Sequence, residues 1–272
     1  MPPRDDASET LVPDGPAAKR SYHVEALAKG LRLLGLFSEK RPSMKLTDMA
    51  AETAIPLPTA FRMAATLVTE GFLEQLPDGA YRPAPKVLTL GFSALRSMDL
   101  VELADGPLRR LAAATGQTVN LGSLSEDRVL YLIRLRNNDL VTANIQVGSR
   151  LPAVGTSIGK VLLAHLDGEA LDGCVTERSF GGTTGPNAFR SLAALRPALA
   201  EIRKQGWAIQ DEELAYGLRS VAAPVFDAAG TAVAGVNVAV PAMEFPVERL
   251  HDELRPALLD ACREITRLLG GG

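Results

Sequence analysis

LTDMAAETAIPLPTAFRMAATLVTEG, residues 46–71, is the stretch whose reading decides the fold of the first part of the chain. Thr47 to Thr53 reads as a short helix with Asp48 near its positive end. A tight break follows at Ala54 to Leu57, and Pro58 suits the first position of the next helix, where its missing N–H would have no partner anyway. Gly71 suits a left-handed cap at the far end. Two extended pieces come next, Phe72 to Leu76 and Ala80 to Arg82, around the turn Pro77-Asp78-Gly79. A short helix, a tight turn, a second helix and then a hairpin are, in that order, the parts of a winged helix-turn-helix.

Within the helix that starts at Pro58, the residues Phe61, Ala64, Ala65 and Val68 read as an apolar stripe. Thr59, Arg62 and Thr66, at i, i+3 and i+7, form another face of small hydroxyls and one guanidinium. Early residues of a recognition helix reach base edges, and Arg can pair bidentately with guanine. The candidate DNA contacts are therefore Pro58, Thr59, Phe61, Arg62 and Thr66, with Arg82 of the hairpin set on a phosphate. The plain alternative is a three-helix bundle with a hairpin, in which Arg62 is merely solvated. The order of the elements favours DNA binding.

Upstream, Val24, Leu27, Ala28, Leu31 and Leu34 recur at helical spacing, and Arg41-Pro42-Ser43 ends that helix. Residues 1 to 22 lack apolar periodicity and are expected to form a disordered arm. From Pro85 another apolar pattern suggests a connector helix, so the expected domains are a DNA-binding unit over 23–84, a linker helix over 85–99 and a second domain over 100–272.

Composition agrees with two soluble domains. The chain has 272 residues, 46% hydrophobic and 22% charged, with a formal net charge of −3 and a mean hydropathy of +0.07. Residues 20–98 hold ten Lys and Arg against seven Asp and Glu, so the excess of positive charge lies on the expected DNA-binding unit. The longest apolar stretch, Val221 to Met243, is broken by Asp227 and Asn237 and reads as strands. The N-terminus lacks the charged start and apolar core of an export signal, so a cytoplasmic location is expected. Cys174 and Cys262 are too few and too far apart for a disulfide framework or a zinc site, and no metal or cofactor is expected.

The second part mixes helices with hairpins. Helices are expected at Val101 to Thr115, Gly159 to Leu166, Ser191 to Gln205 and from Val247 onward, the last with a kink or split at Pro256. Strands are expected at Thr118 to Leu124, Val129 to Leu135, Ala143 to Val147, Trp207 to Gln210, Ser220 to Phe226 and Ala232 to Val240. Grouped helices and antiparallel hairpins make the fold class α+β.

Gly155-Thr156-Ser157-Ile158-Gly159 matches the G-x-S-x-G nucleophile elbow of serine hydrolases, the rival reading of function. An elbow must follow a buried parallel strand, yet Pro152 would interrupt one here, and only His165 and His251 follow it. A phosphate-binding loop over Gly155 to Lys160 is one residue short and has Val161 where a metal-holding hydroxyl is needed. Two readings without chemistry remain for Thr156 and Ser157 at the start of a helix: binding of an anion such as a carboxylate, or a simple helix cap. Asn237, inside an apolar strand, needs hydrogen-bond partners. Asp211-Glu212-Glu213 reads as a solvated run, not a metal site.

Several phrases carry a family resemblance. EALAKGL (25–31), LTDMA (46–50), PTAFR (58–62) and GAYRP (79–83) resemble the N-terminal domain of the IclR family of transcription regulators. VGSRLPA (147–153), TSIGKVLLA (156–164), QDEEL (210–214) and GLRSVAAPVFD (217–227) resemble that family's effector-binding domain. The phrases at 25–30 and 147–153 further resemble the subgroup controlling aromatic-acid catabolism. The resemblance implies a GAF-like second domain with an antiparallel sheet flanked by helices, and a homodimer formed through the DNA-binding half, or a tetramer. It implies double-stranded operator DNA as partner, and an effector pocket built from Thr156, Ser157, Gln210, Leu218, Ser220 and Asn237. The implied effector is a small carboxylate, with protocatechuate, 4-hydroxybenzoate and β-ketoadipate as candidates. One departure stands out. Leu57-Pro58 replaces the polar or basic residue and Ser that many members carry before the Thr, which leaves base readout to Thr59 and Arg62.

Overall fold

The computed structural model describes residues 23–38, 41–96, 99–136 and 145–271. The arm expected over residues 1 to 22 lies outside the described residues. The chain divides between Ala94 and Leu95 into two compact units.

The first unit contains α1 (Glu25–Leu34), β1 (Met44–Lys45), α2 (Leu46–Thr53), α3 (Leu57–Thr69), β2 (Leu73–Gln75), β3 (Ala80–Pro83) and most of α4 (Lys86–Arg96). β1 was not expected from the sequence. Its two residues pair with Tyr81 and Ala80, making a small sheet in the order β1-β3-β2. Leu57 opens α3, so Pro58 takes its second position, where an N–H is still not needed. The tight break is made by Ala54 at a left-handed φ of 54°.

The face assignment of α3 needs correction. Ala60 and Ala64 are buried, with Met63 and Leu67 packed against the same core of Leu33, Met49, Ile55 and Leu73. Ala65 is exposed, as are Phe61 (55%) and Val68 (36%). Small side chains at 60 and 64 admit the neighbouring helices, so the stripe that contains them turns inward and Phe61 turns out. In α1, likewise, Gly30 and Leu33 face the core. Val24, Leu27 and Leu31, from the apolar stripe read in the sequence, are 62%, 62% and 58% exposed.

The second unit begins with α5 (Asp99–Thr115). Strands β4 (Thr118–Ser125), β5 (Arg128–Leu135), β6 (Arg150–Pro152), β7 (Ala208–Asp211), β8 (Leu218–Phe226) and β9 (Ala232–Pro241) form one sheet among the described residues. Its order is β6-β5-β4-β9-β8-β7 with every pairing antiparallel, the α+β arrangement expected. Between them in sequence come α6 (Ser157–Leu163), α7 (Gly168–Cys174) and α8 (Leu192–Gln205), and the chain closes on α9 (Arg255–Leu268). The strand expected at Ala143 to Val147 falls partly outside the described residues, and Ile145 to Val147 are not extended into the sheet. The edge strand is β6 instead, with Pro152 at its end paired to Arg128. At the C-terminus the break expected at Pro256 is a π turn over Leu250–Leu254, just before the residue that cannot donate a backbone hydrogen bond.

Strand alternation gives the sheet two chemically different faces. Val119, Leu121, Val221, Val236 and Val238 pack with Leu108 of α5 and Leu258 and Ile265 of α9. On the opposite face Ile158 and Val161 of α6 form a second core with Leu195 and Leu199 of α8. Two glycines let α6 lie close. A Cβ on Gly235 would come within 3.0 Å of Ile158 Cγ2, and one on Gly159 would lie 2.1 Å from the Ala153 carbonyl oxygen.

Gly159→Ala should therefore destabilise the second unit by about 1–3 kcal/mol, because its obstacle is backbone that cannot rotate away. Thermal unfolding of the variant checks this, and an unchanged midpoint would refute the close approach.

Candidate functional site

In the first unit, the exposed side of α3 carries Pro58, Phe61, Arg62 and Thr66, with Thr59 half-buried at its edge. Arg62 has no hydrogen-bond or ion-pair partner among the described residues. The Thr66 hydroxyl donates to the Arg62 carbonyl at 2.9 Å, so it offers the outside only its lone pairs. Arg82, on β3, is paired with Glu74 directly across on β2. A phosphate contact from Arg82 would have to compete with that carboxylate. Lys45 donates to the Asp78 carbonyl in the hairpin turn. Lys86 closes the end of α3 by donating to the Glu70 carbonyl at 2.8 Å, with its ammonium 4.7 Å from the centre of the Phe72 ring.

In the second unit, Thr156, Gln210, Leu218, Ser220 and Asn237 line one small cavity. Ser157 lies just behind it, fully buried. The space is about 20 Å³, enough for about one water molecule. Sheet register brings the polar groups into line: Gln210 opposes Ser220, Asn237 opposes Asn120, and Asn120 opposes Arg134. Arg134 Nη1 donates to Asn120 Oδ1 at 3.0 Å, and Asn120 Nδ2 donates to Asn237 Oδ1 at 2.8 Å. Asn237 Nδ2 donates to Ser157 Oγ at 3.4 Å. Ser157 and Ser220 share a hydrogen at 2.7 Å, and the Ser220 hydroxyl donates to Gln210 Oε1 at 3.4 Å.

Three polar lining residues escaped the sequence reading, Asn120, Tyr131 and Arg134, as did the apolar Ile145, Leu214 and Ala239. Asn120 was open to the same reasoning as Asn237, an amide within an apolar strand. Arg134 looked like an ordinary strand-end charge. Burial, and then the nearby charge of Arg136, pull its guanidinium below the ordinary value, and no carboxylate among the described residues acts on it. Burial pushes the Tyr131 hydroxyl up, which keeps it neutral.

The two readings of the G-x-S-x-G segment can now be separated. Thr156 caps α6 by accepting from the Gly159 N–H at 2.9 Å, and α6 is only seven residues long. The cap reading is the one realised. Ser157 bonds to Ser220 and Asn237, whereas His165 is held by the Val161 carbonyl at 2.7 Å. The preceding strand β6 is an antiparallel edge strand. Gly155 is demanded by packing, since a Cβ there would lie 2.4 Å from Thr183 Cγ2. Nothing in this geometry activates a nucleophile. Lys160 is equally unavailable to a phosphate: it is buried, donates to the Ile209 carbonyl at 2.7 Å and pairs with Glu213.

The acidic run is not solvated as expected. Asp211 pairs with Arg219, Glu212 accepts from the Gly217 N–H at 2.7 Å, and Glu213 is buried against Lys160. Burial opposes charge on both members of this last pair, holding Lys160 below and Glu213 above their ordinary values. The pair fastens the loop that carries Leu214, a cavity-lining residue, to α6. Among the described residues no group of His, Cys, Asp and Glu could hold a metal ion, and no helix is long and apolar enough to cross a membrane. Burial pushes the Cys262 thiol up to about 12.

Lys160→Met should lower stability by about 3–5 kcal/mol, since it leaves a buried carboxyl without its cation. In Lys160→Met/Glu213→Leu most of that loss should return. Urea unfolding of the two variants reads the difference, and equal losses would contradict the pairing.

Comparison with known proteins places these parts together. Residues 26–77 match the family model of the IclR helix-turn-helix domain, and residues 92–267 match that of the bacterial transcriptional regulator IclR C-terminal domain. The Pca regulon regulatory protein of Pseudomonas putida is 32% identical over 248 residues, covering 90% of this chain and 84% of that protein. The HTH-type transcriptional regulator KdgR of Escherichia coli K12 is 32% identical over 257 residues, covering 93% and 95%. Among solved structures, an IclR homolog from Microbacterium hydrocarbonoxydans complexed with 4-hydroxybenzoate superposes with a TM-score of 0.73 at 26% identity, covering 90% of this chain and 98% of that one. A helix-turn-helix unit followed by an antiparallel sheet with a polar cavity, matched over nearly the whole chain, makes this protein a member of the IclR family of bacterial transcriptional regulators, not an enzyme.

Proposed function

We propose that operator binding by this regulator is controlled by a small carboxylate held in the cavity of the second unit. The observation that carries the reading is Arg134. Its Nε is buried and it lines the cavity, and among the described residues that Nε has no hydrogen-bond partner and no acidic neighbour offsets the charge. A carboxylate supplies both a counter-charge and a hydrogen-bond acceptor of the right geometry. The helix start at Thr156, for which the sequence left both an anion site and a simple cap open, is occupied by its own cap.

Thr156, Gln210, Leu218, Ser220 and Asn237 would line the bound acid, with Ser157 supporting them from behind. A cavity of about 20 Å³ must widen to admit it. Ile145 and Leu214, which lie in loops, are the lining residues whose displacement would widen it. Such widening gives a ligand the differential affinity for two arrangements that any switch requires. An acid of aromatic-acid catabolism is supported by the likeness to the Pca regulator and to the homolog complexed with 4-hydroxybenzoate, so protocatechuate, 4-hydroxybenzoate and β-ketoadipate remain the candidates.

In the first unit, Pro58, Thr59, Phe61, Arg62 and Thr66 would meet the major groove, and Arg82 a phosphate once it leaves Glu74. The domain limits 23–84, 85–99 and 100–272 and a cytoplasmic location complete the reading. Val24, Leu27 and Leu31, exposed on one side of α1, supply an apolar face for a homodimer through the DNA-binding half.

Arg62→Ala should weaken specific operator retardation in a gel shift by about 5- to 150-fold, the worth of one bidentate base contact, with the melting temperature unchanged. Unchanged retardation would remove Arg62 from the interface. Arg134→Met should weaken carboxylic-acid binding by about tenfold or more in titration calorimetry. Equal binding by this variant and the unaltered chain would overturn the carboxylate reading.

A further inference from the structure

Arg134 lies on β5 and Gln210 on β7, at opposite sides of the cavity, with β4, β9 and β8 between them in the sheet. The hydrogen-bonded line joining them has a direction. A guanidinium has no lone pair with which to accept, so Asn120 must turn its oxygen to Arg134 and its amide to Asn237. Asn237 then turns its amide to Ser157. With that lone pair of Ser157 occupied, its own hydrogen goes to Ser220, and the Ser220 hydrogen goes to Gln210 Oε1. In this direction alone every hydroxyl hydrogen along the line finds an acceptor.

The consequence falls on Gln210. Its carbonyl is held by Ser220, which leaves the amide Nε2 as a second donor at the cavity, buried and with no partner among the described residues. Gln210 is only 1% exposed, so water does not relieve it. Both ends of the site are thus donors with no acceptor among the described residues: Arg134 Nε at one and Gln210 Nε2 at the other.

We infer that the ligand of this cavity is an acid with oxygen at both ends, a carboxylate for Arg134 and a carboxylate, carbonyl or hydroxyl oxygen for Gln210. The inference rests on the carboxylate reading above and narrows it. An acid ending in a methyl group or a bare ring would satisfy Arg134 and still bury the Gln210 amide unpaired. Leaving a buried donor unpaired weakens binding by about 5- to 150-fold.

Titration calorimetry on the full chain with two matched pairs of acids tests this: terephthalate against 4-methylbenzoate, and adipate against hexanoate. In whichever pair binds, the acid with two oxygen ends should bind about tenfold or more tighter. Gln210→Leu, which cannot donate, should bring that ratio close to one while the one-ended acid still binds. Gln210→Glu keeps the shape but replaces the donor with an acceptor, and should likewise abolish the preference; it serves if the leucine variant does not fold. Equal binding within a pair by the unaltered chain, or a preference that survives both substitutions, would overturn the two-ended ligand and leave the carboxylate reading standing. Binding of none of the four acids to the natively melting chain would overturn both.

Discussion

Arg134 can only donate hydrogen bonds, and it stands at one side of a sheet face on which the chain has buried two asparagines, a serine and a glutamine, with a second buried serine on the helix packed against it. Each of those groups would cost about 1–3 kcal/mol if left unpaired in the interior. The antiparallel register resolves the difficulty by setting Asn120 beside both Arg134 and Asn237, and Gln210 beside Ser220. α6 adds the missing link, because its first residue, Ser157, bridges Asn237 and Ser220. The polar line, the position of α6 and the cavity are consequences of one another.

The same helix is fastened at its other side. Lys160, one turn beyond Ser157, reaches Glu213 in the loop that follows β7. That loop also carries Leu214 into the cavity wall, and the Arg219–Asp211 pair joins the strands at its two ends. Rearrangement of Leu214 must therefore work against a buried ion pair only one residue away. Under the proposed function, occupancy of the cavity would have to displace this loop, and allosteric coupling energies are typically about 1–3 kcal/mol.

The DNA-reading unit was the more legible half. Its short helices, its proline near the start of α3 and the Pro77-Asp78-Gly79 turn are local signals, each set by the backbone preferences of a few adjacent residues. Harder to read was which side of each helix faces inward. Phe61 looks like core by hydrophobicity, yet Ala60 and Ala64 take the inner side because close helix packing admits small residues there. In α1 the apolar stripe is real but lies open in the single chain, its lack of an internal partner being visible only once the helices are packed.

What the sequence by itself determined is the succession of elements, the two-part organisation, the family, and five of the residues that line the cavity. The elements and their two-part grouping follow from local propensity and alternation along strands, whereas the family and the five cavity residues rest on the resemblance carried by the motifs. Only the tertiary structure decided that Arg134 and Asn120 belong to the same cavity, that Thr156 is occupied as a cap, and that the acidic run Asp211 to Glu213 is bound inward. Arg134 and Gln210 are separated by seventy-six residues and joined through strands whose pairing is non-local. Register and burial, which no single segment encodes, turn an ordinary strand-end charge and an ordinary amide into the two ends of one site.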